Sequence, residues 1–218
     1  MIDLNMSGFS WLTLLLLLLP LGAGITLLMP ADKTRWSALF SNLVVLALTI
    51  FLALGFDSSA SGFQYVEKHD WITTLNIHYF LGVDGISILF LPATALLFTA
   101  VTLASWNSIQ TIRRVYFALL LILEFAILGI FSSLDTILFM FFWETTLIPL
   151  YFLISLWGVG ANRRYAGMKY VLFMMGGGLP LVFAFVLLAI QPDGSYIFDY
   201  TQLIGVSKEN PYQTIIFF

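Results

Sequence analysis

Residues 134–157 read Leu-Asp-Thr-Ile-Leu-Phe-Met-Phe-Phe-Trp-Glu-Thr-Thr-Leu-Ile-Pro-Leu-Tyr-Phe-Leu-Ile-Ser-Leu-Trp, a run long enough to cross a membrane as a helix. Glu144 stands near its middle, and the only other charge, Asp135, lies at its edge. A carboxylate at bilayer mid-depth costs about 3 kcal/mol or more. A chain keeps such a residue where water, a partner charge or a transported ion meets it. The run therefore predicts a membrane protein that moves charge.

The rest of the chain is apolar to the same degree. Its 218 residues are 60% hydrophobic and 10% charged, whereas about a quarter of the residues in a soluble domain are charged. The composition predicts an all-α, polytopic transmembrane helix bundle that forms a single membrane domain over residues 1–218. We expect six spans and the start of a seventh, at residues 9–29, 36–56, 81–105, 115–131, 134–157, 167–190 and 213–218.

Lysine and arginine residues predict the orientation of the spans. Seven of the nine lie at one set of span ends and two at the other: Lys33, Arg35, Arg113, Arg114, Arg163, Arg164 and Lys169 against Lys68 and Lys208. The positive-inside rule then places the N-terminus outside. The first apolar run has no basic region before it, so it does not resemble a cleavable signal peptide.

The long outer loop, residues 57–80, alternates apolar and polar side chains and predicts a short strand or a hairpin on the outer surface. The segment Gly82-Val-Asp84-Gly85-Ile-Ser87 follows it. There, Asp84 or Ser87 is placed to cap the third helix, and a glycine supplies the turn.

Several classes of chemistry are excluded or disfavoured by composition. The chain has no cysteine, which excludes disulfides and cysteine-ligated iron–sulfur or zinc sites. Its two histidines, His69 and His78, lie in one polar loop, which disfavours a haem clamped within the bilayer. No basic tract predicts binding to nucleic acid, and no nucleotide fingerprint, catalytic triad or metal cluster is present. We therefore expect no catalytic residue, metal ligand or cofactor-binding residue in this chain, and no direct NAD binding.

Glu144 is the first candidate for a proton or cation relay. The alternative is a neutral glutamic acid that joins two helices by hydrogen bonds. Pro149 favours the relay, because it removes the hydrogen bond to the carbonyl of Thr145, beside Glu144, and bends the helix there. Freed backbone at membrane depth is tolerated where protein or a water cavity satisfies it.

Glu124 and Lys169 are two further relay candidates. Glu124 lies within the fourth span at a depth similar to that of Glu144, so the two carboxyls could share a proton through water. Its alternative role is a structural polar contact. Lys169 lies at the inner end of the sixth span, where it either snorkels to the surface or forms an entry point for protons. We expect the sixth span to be interrupted near the relay, with a kink or very close helix packing, by Gly176, Gly177, Gly178 and Pro180.

Four segments resemble the antiporter-like subunits called chain 4, or chain M, of respiratory complex I and its photosynthetic relatives. The most specific is Phe141-Phe-Trp143-Glu144-Thr-Thr-Leu-Ile-Pro149-Leu-Tyr-Phe-Leu-Ile-Ser-Leu-Trp157-Gly158. The other three are Gly82-Val-Asp84-Gly85-Ile-Ser87, the stretch from Leu123-Glu124 through Gly129-Ile-Phe131 to Leu134-Asp135, and Arg164-Tyr-Ala-Gly-Met-Lys169-Tyr.

The resemblance implies an antiporter-like fold and a proton-relay role for Glu144, paired with a lysine on the seventh helix. It implies the same role less firmly for Glu124, and it matches Lys169 to a basic position. Members of this family are about twice as long, so we expect the chain to be the N-terminal part of a truncated subunit, without the partner lysine.

The function that the resemblance implies is that of a non-redox, proton-translocating subunit in the membrane arm of a type I NAD(P)H dehydrogenase. Flavin, iron–sulfur clusters and quinone are then expected in partner subunits, and the membrane is a bacterial inner membrane or a thylakoid. Two alternatives stay open. One is a subunit of a multi-subunit sodium/proton antiporter, and the other is a structural membrane scaffold.

Overall fold

A computed structural model describes residues 8–60, 62–191 and 194–206. In chain order, its elements are α1 (Trp11–Leu28), α2 (Thr34–Leu54), β1 (Gln64–Ile72), β2 (Ile77–Val83), α3 (Ser87–Ala104), α4 (Arg113–Ser132), α5 (Thr136–Thr145), α6 (Leu147–Trp157), α7 (Arg163–Ala189) and α8 (Tyr200–Val206). The predicted start of a seventh span at 213–218 lies outside the described residues.

Six spans are long and apolar enough to cross a membrane within the described part of the chain, which confirms the predicted number. They are α1, α2, α3, α4, the pair α5–α6 and α7. The predicted third span, 81–105, is wrong at its start, because residues 81–83 belong to β2. A short apolar run fits a buried strand as well as a helix, so periodicity alone could not separate the two.

The core lies between α1, α2, α3, α4 and α5. Helices in a membrane associate through close packing and interhelical hydrogen bonds, because lipid tails are as apolar as leucine. Both are present here. A Cβ atom on Gly22 would lie 2.5 Å from the Ser41 Oγ, so only glycine permits this approach of α1 to α2. The buried Asn42 amide joins α2 to α3 by donating to the carbonyl of Phe98 and the hydroxyl of Thr102.

The predicted hairpin is present on the outer surface. β1 and β2 pair antiparallel and are joined by a 3₁₀ turn and Asn76, whose φ of 56° is a left-handed conformation that asparagine tolerates. The hairpin is fixed to the bundle, since the Leu134 amide donates to the carbonyl of Phe80 at 2.8 Å. Asp84 and Ser87 bond reciprocally, side chain to backbone amide, at the start of α3. The N-cap residue itself is Ile86, so the prediction that Asp84 or Ser87 occupies the cap position is wrong.

The fifth span is interrupted, and the sixth is continuous. α5 ends at Thr145 and α6 begins at Leu147, so the break falls at Thr146, two residues after Glu144. α7 runs through the glycines and Pro180 without a break, so the predicted interruption there is wrong. It also starts at Arg163, four residues before the predicted boundary, because Arg163 and Arg164 are good helix formers.

Candidate functional site

Glu144 lies at the end of α5 with its carboxyl against α7. A Cβ atom on Gly178 would lie 2.6 Å from the Glu144 Oε1, so the carboxyl occupies the space that a side chain at this position would need. Glu144 is half-buried and lies about 12 Å from the outer end of its span and about 20 Å from the inner end. The structure therefore places a carboxyl at mid-depth, between a helix break and a neighbouring backbone.

The break beside Glu144 has a local cause. Pro149 has no N–H, so the carbonyl of Thr145 lacks its ordinary helical donor. Two threonine hydroxyls bond back to the helix around the break, from Thr145 to the carbonyl of Phe141 and from Thr146 to that of Trp143. Threonine and local 3₁₀ bonding are known ways to satisfy freed backbone at membrane depth.

A cavity of about 400 Å³ opens beside the Glu144 carboxyl, between α6 and α7. Apart from Glu144 and the Tyr151 hydroxyl, its wall is apolar. The lining residues are Glu144, Leu147, Ile148, Tyr151, Phe152, Met168, Val171 and Met175. An apolar wall with few polar groups holds a carboxyl in a low dielectric, where small changes in nearby charge have large effects.

Glu124 is fully buried in α4, with an exposed fraction of 0%. Neither of its carboxyl oxygens has a hydrogen-bond partner among the described residues. Glu124 lies about 16 Å from the inner end of α4, close to the depth of Glu144, as predicted. The two carboxyls have different surroundings, since Glu124 lies in the packed core and Glu144 lies against α7.

Lys169 lies on the exposed surface of α7, and its Nζ lies 5.8 Å from the centre of the Phe173 ring. No ion pair joins it to a carboxylate within the described ranges. The structure thus brings Glu144 and Gly178 together, and it leaves Lys169 apart from them. Gly176 and Gly177 face open space, so the close packing predicted for the glycines holds at Gly178 alone.

The outer surface carries a charged cluster that sequence reasoning missed. The Lys68 Nζ donates to the Asp199 Oδ2 at 2.7 Å, and Asp199 is buried. Burial raises the pKa of Asp199, but the hydrogen bonds from Lys68 and Thr201 outweigh it and lower that pKa below its usual range. This ion pair holds the segment before α8 against the hairpin.

Asp135 is the N-cap of α5. Its Oδ1 accepts the amides of Ile137 and Leu138, and its Oδ2 accepts the amide of His78 in the hairpin. Burial raises the pKa of Asp135, and these three hydrogen bonds oppose the shift. A sequence signal existed here, because aspartate directly before an apolar helical run is a preferred cap.

Glu67 caps α1 from the hairpin. It accepts the amides of Leu12 at 2.7 Å and Thr13 at 3.1 Å, together with the Thr13 hydroxyl. A carboxylate at a helix N-terminus satisfies free amides and complements the helix dipole. Nothing in the sequence links residues so far apart.

Comparisons with known proteins agree with one another. Residues 133–218 match the family described as "NADH:quinone oxidoreductase/Mrp antiporter, TM". The chain is 38% identical over 200 residues to NAD(P)H-quinone oxidoreductase chain 4 1 of Synechococcus elongatus, a match that covers 89% of this chain and 37% of that protein. The chain spans about two fifths of the length of that relative.

Two solved structures share the fold. A chain of respiratory complex I from Thermus thermophilus is 26% identical with a TM-score of 0.76, over 89% of this chain and 39% of that chain. A chain of the Mrp complex from Dietzia sp. is 19% identical with a TM-score of 0.78, over 94% of this chain and 22% of that chain. At this identity, the second match bears on the fold alone.

Proposed function

We propose that this chain is one of the antiporter-like membrane subunits of complex I-type NAD(P)H-quinone oxidoreductases, and that it translocates protons within the membrane arm of such a complex. The observation that carries the proposal is the Glu144 carboxyl, held at mid-depth beside a helix break and against Gly178. An ionisable group at this depth costs free energy, and a role in proton transfer is a common reason for a membrane protein to keep it.

The proposed role of Glu144 is to take up and release a proton. In its neutral form, the carboxyl matches the apolar wall of the neighbouring cavity. In its ionised form, it requires water or a positive partner, and a helix break at membrane depth is tolerated where water or protein satisfies the freed backbone. A change in charge or hydration nearby then alters the proton affinity of Glu144, because interactions in a low dielectric are strong.

In the proposed complex, other subunits carry out electron transfer. They would hold the flavin, the iron–sulfur clusters and the quinone, with NADH, NADPH or ferredoxin as donor. This chain would be a non-redox subunit. It would contact neighbouring membrane-arm subunits within the bilayer. Glu124 and Lys169 are proposed as further relay positions, with Glu124 the stronger because it is buried without a partner.

A sodium/proton antiporter subunit is the main competing function. The likeness to the Mrp complex supports the shared fold, whereas a match at 38% identity supports the dehydrogenase. Affinity purification of the chain from its native membrane separates the two functions. Copurification of flavin- and iron–sulfur-containing subunits is the expected result. Recovery with antiporter subunits that hold no redox centre would contradict the proposal.

A further inference from the structure

Glu124 lacks a hydrogen-bond partner although it is fully buried. Its exposed fraction is 0%, and neither carboxyl oxygen has a partner in the described part of the chain. Buried polar groups are nearly always paired, and the exceptions mark a bound water, an ion or a functional role. Its neighbours one turn away on α4 are three leucines and one isoleucine, which supply no partner. Any hydrogen-bond partner of this carboxyl must therefore lie on a surrounding helix or be water held there.

The Glu124 side chain is turned away from α5. Phe125 and Gly129 face α5, where both contact Phe142. Successive residues on a helix are about 100° apart, so Glu124 lies on a different side of α4. Leu121 is one turn before Glu124 on the same side, and it lies against α1. Glu124 thus lies beside Leu121, on the side of it that points away from Phe125 and α5.

The Glu124 carboxyl reaches back towards the inner surface. Helical side chains tilt towards the N-terminus of their helix, and α4 begins at the inner end. The carboxyl therefore lies near the level of Leu121, about 12 Å from that end. At this level, a Cβ on Gly22 would lie 2.5 Å from the Ser41 Oγ and 3.7 Å from the Leu121 Cδ1. Ser41 of α2 and Leu121 of α4, which lies beside Glu124, thus meet at Gly22.

A series of hydroxyl groups leads from Ser41 to the inner surface along the seam between α1 and α2. The Ser41 hydroxyl donates to the carbonyl of Ser37 at 3.1 Å, and the Ser37 Oγ lies 3.1 Å from the Thr26 Oγ1. Thr26 and Ser37 lie about 3–5 Å from the inner helix ends, and Ser41 lies about 10 Å from them. Hydroxyls both donate and accept, as proton transfer along water requires.

We propose that Thr26, Ser37 and Ser41 line an inner-side proton route to Glu124. The three hydroxyls act as positioning residues for water, which carries protons from the end of this series at Ser41 to the Glu124 carboxyl. This inference rests on the proposed function and deepens it, because it names the side and the seam from which protons enter. The route is separate from Glu144, which lies against α7.

Removal of two hydroxyls tests the route. In the assembled complex, Thr26→Val with Ser37→Ala should slow pumping about tenfold, the factor that corresponds to one lost hydrogen bond. Thr26→Ser with Ser37→Thr keeps both hydroxyls and should pump at the wild-type rate. The matched control is Thr49→Val, which removes a buried hydroxyl from the outer half of α2 and should also leave pumping unchanged.

Cysteine accessibility gives a second readout that does not depend on activity. The chain has no cysteine, so Ser41→Cys introduces a thiol that is unique within this chain, and its reaction is followed on this chain alone. Ag⁺ added at the inner face should react with it at least about tenfold faster than with Thr49→Cys, because thiolates form in water. Equal reaction rates would overturn the proposal, as would equal pumping by the hydroxyl-deleted variant and Thr49→Val. Loss of pumping in Glu144→Gln shows separately that the proposed function stands.

Discussion

Gly178 is the position where one added methyl group should disturb the relay. A Cβ there would lie 2.6 Å from the Glu144 Oε1, whereas ordinary contacts begin near 3.4 Å. The carboxyl oxygen must therefore move by about 0.8 Å in Gly178→Ala, because the backbone of α7 is fixed and the glutamate is flexible. A displacement of about 1 Å in a reacting group costs about a hundredfold in rate. We expect pumping to fall roughly 10- to 100-fold.

The same helix supplies matched controls. A Cβ on Gly176 or Gly177 meets nothing within 4 Å, so alanine should fit at either position. Alanine is also preferred to glycine inside a helix by about 0.5–1 kcal/mol, so neither control should weaken α7. The three glycine variants thus share one chemical change, and only Gly178→Ala meets the Glu144 carboxyl.

Proton pumping per quinone reduced is the quantity to measure, in assembled complexes reconstituted into vesicles. The subunit content of each variant is measured first, so that a loss of assembly is not read as a loss of transfer. If Gly178→Ala pumps as well as Gly176→Ala, the geometry at Glu144 does not limit proton transfer, and the reasoning from this contact is wrong.

Two further predictions concern stability. Gly129→Ala should lower the free energy of unfolding by about 1–3 kcal/mol, because its Cβ would overlap the Phe142 ring. Gly24→Ala is the control and should not lower it, because Gly24 faces open space. Thermal unfolding in detergent compares the two variants. The lowered pKa of Asp199 means that its ion pair with Lys68 stabilises the fold above the unfolded value of 3.8, and that this stabilisation is lost as the pH falls below it. As the pH is lowered below about 3.8, the free energy of unfolding should therefore fall more steeply in the wild type than in Lys68→Met. Parallel curves of stability against pH would contradict this account.

The spans, the hairpin and the break beside Glu144 were predictable because each depends on local sequence. An apolar run of spanning length has few alternatives to a transmembrane helix. Pro149 breaks a helix through its own ring and its missing N–H, whatever surrounds it. The glycines of α7 only weaken a helix, so whether α7 breaks or stays continuous depends on the residues that pack around it. Close packing occurs at Gly178, and the helix stays continuous.

Contacts between distant segments were not predictable. Glu67 caps α1 although it lies 55 residues from Leu12, and no pattern in either segment indicates the other. The burial of Glu124 depends on which side of α4 faces the neighbouring helices, which the leucine-rich sequence around it does not specify. Both features follow from tertiary packing, and a single sequence holds no direct record of it.

Proton pumping by Glu144→Gln is the most direct test of the proposed relay. Glutamine keeps the size and the hydrogen-bonding oxygen of glutamate but has no proton to release. Proton-transfer groups typically contribute at least about a hundredfold to a rate, so pumping should fall by that order in a fully assembled complex, while Glu144→Asp retains part of it. Pumping at the wild-type rate by assembled Glu144→Gln complexes would contradict the account.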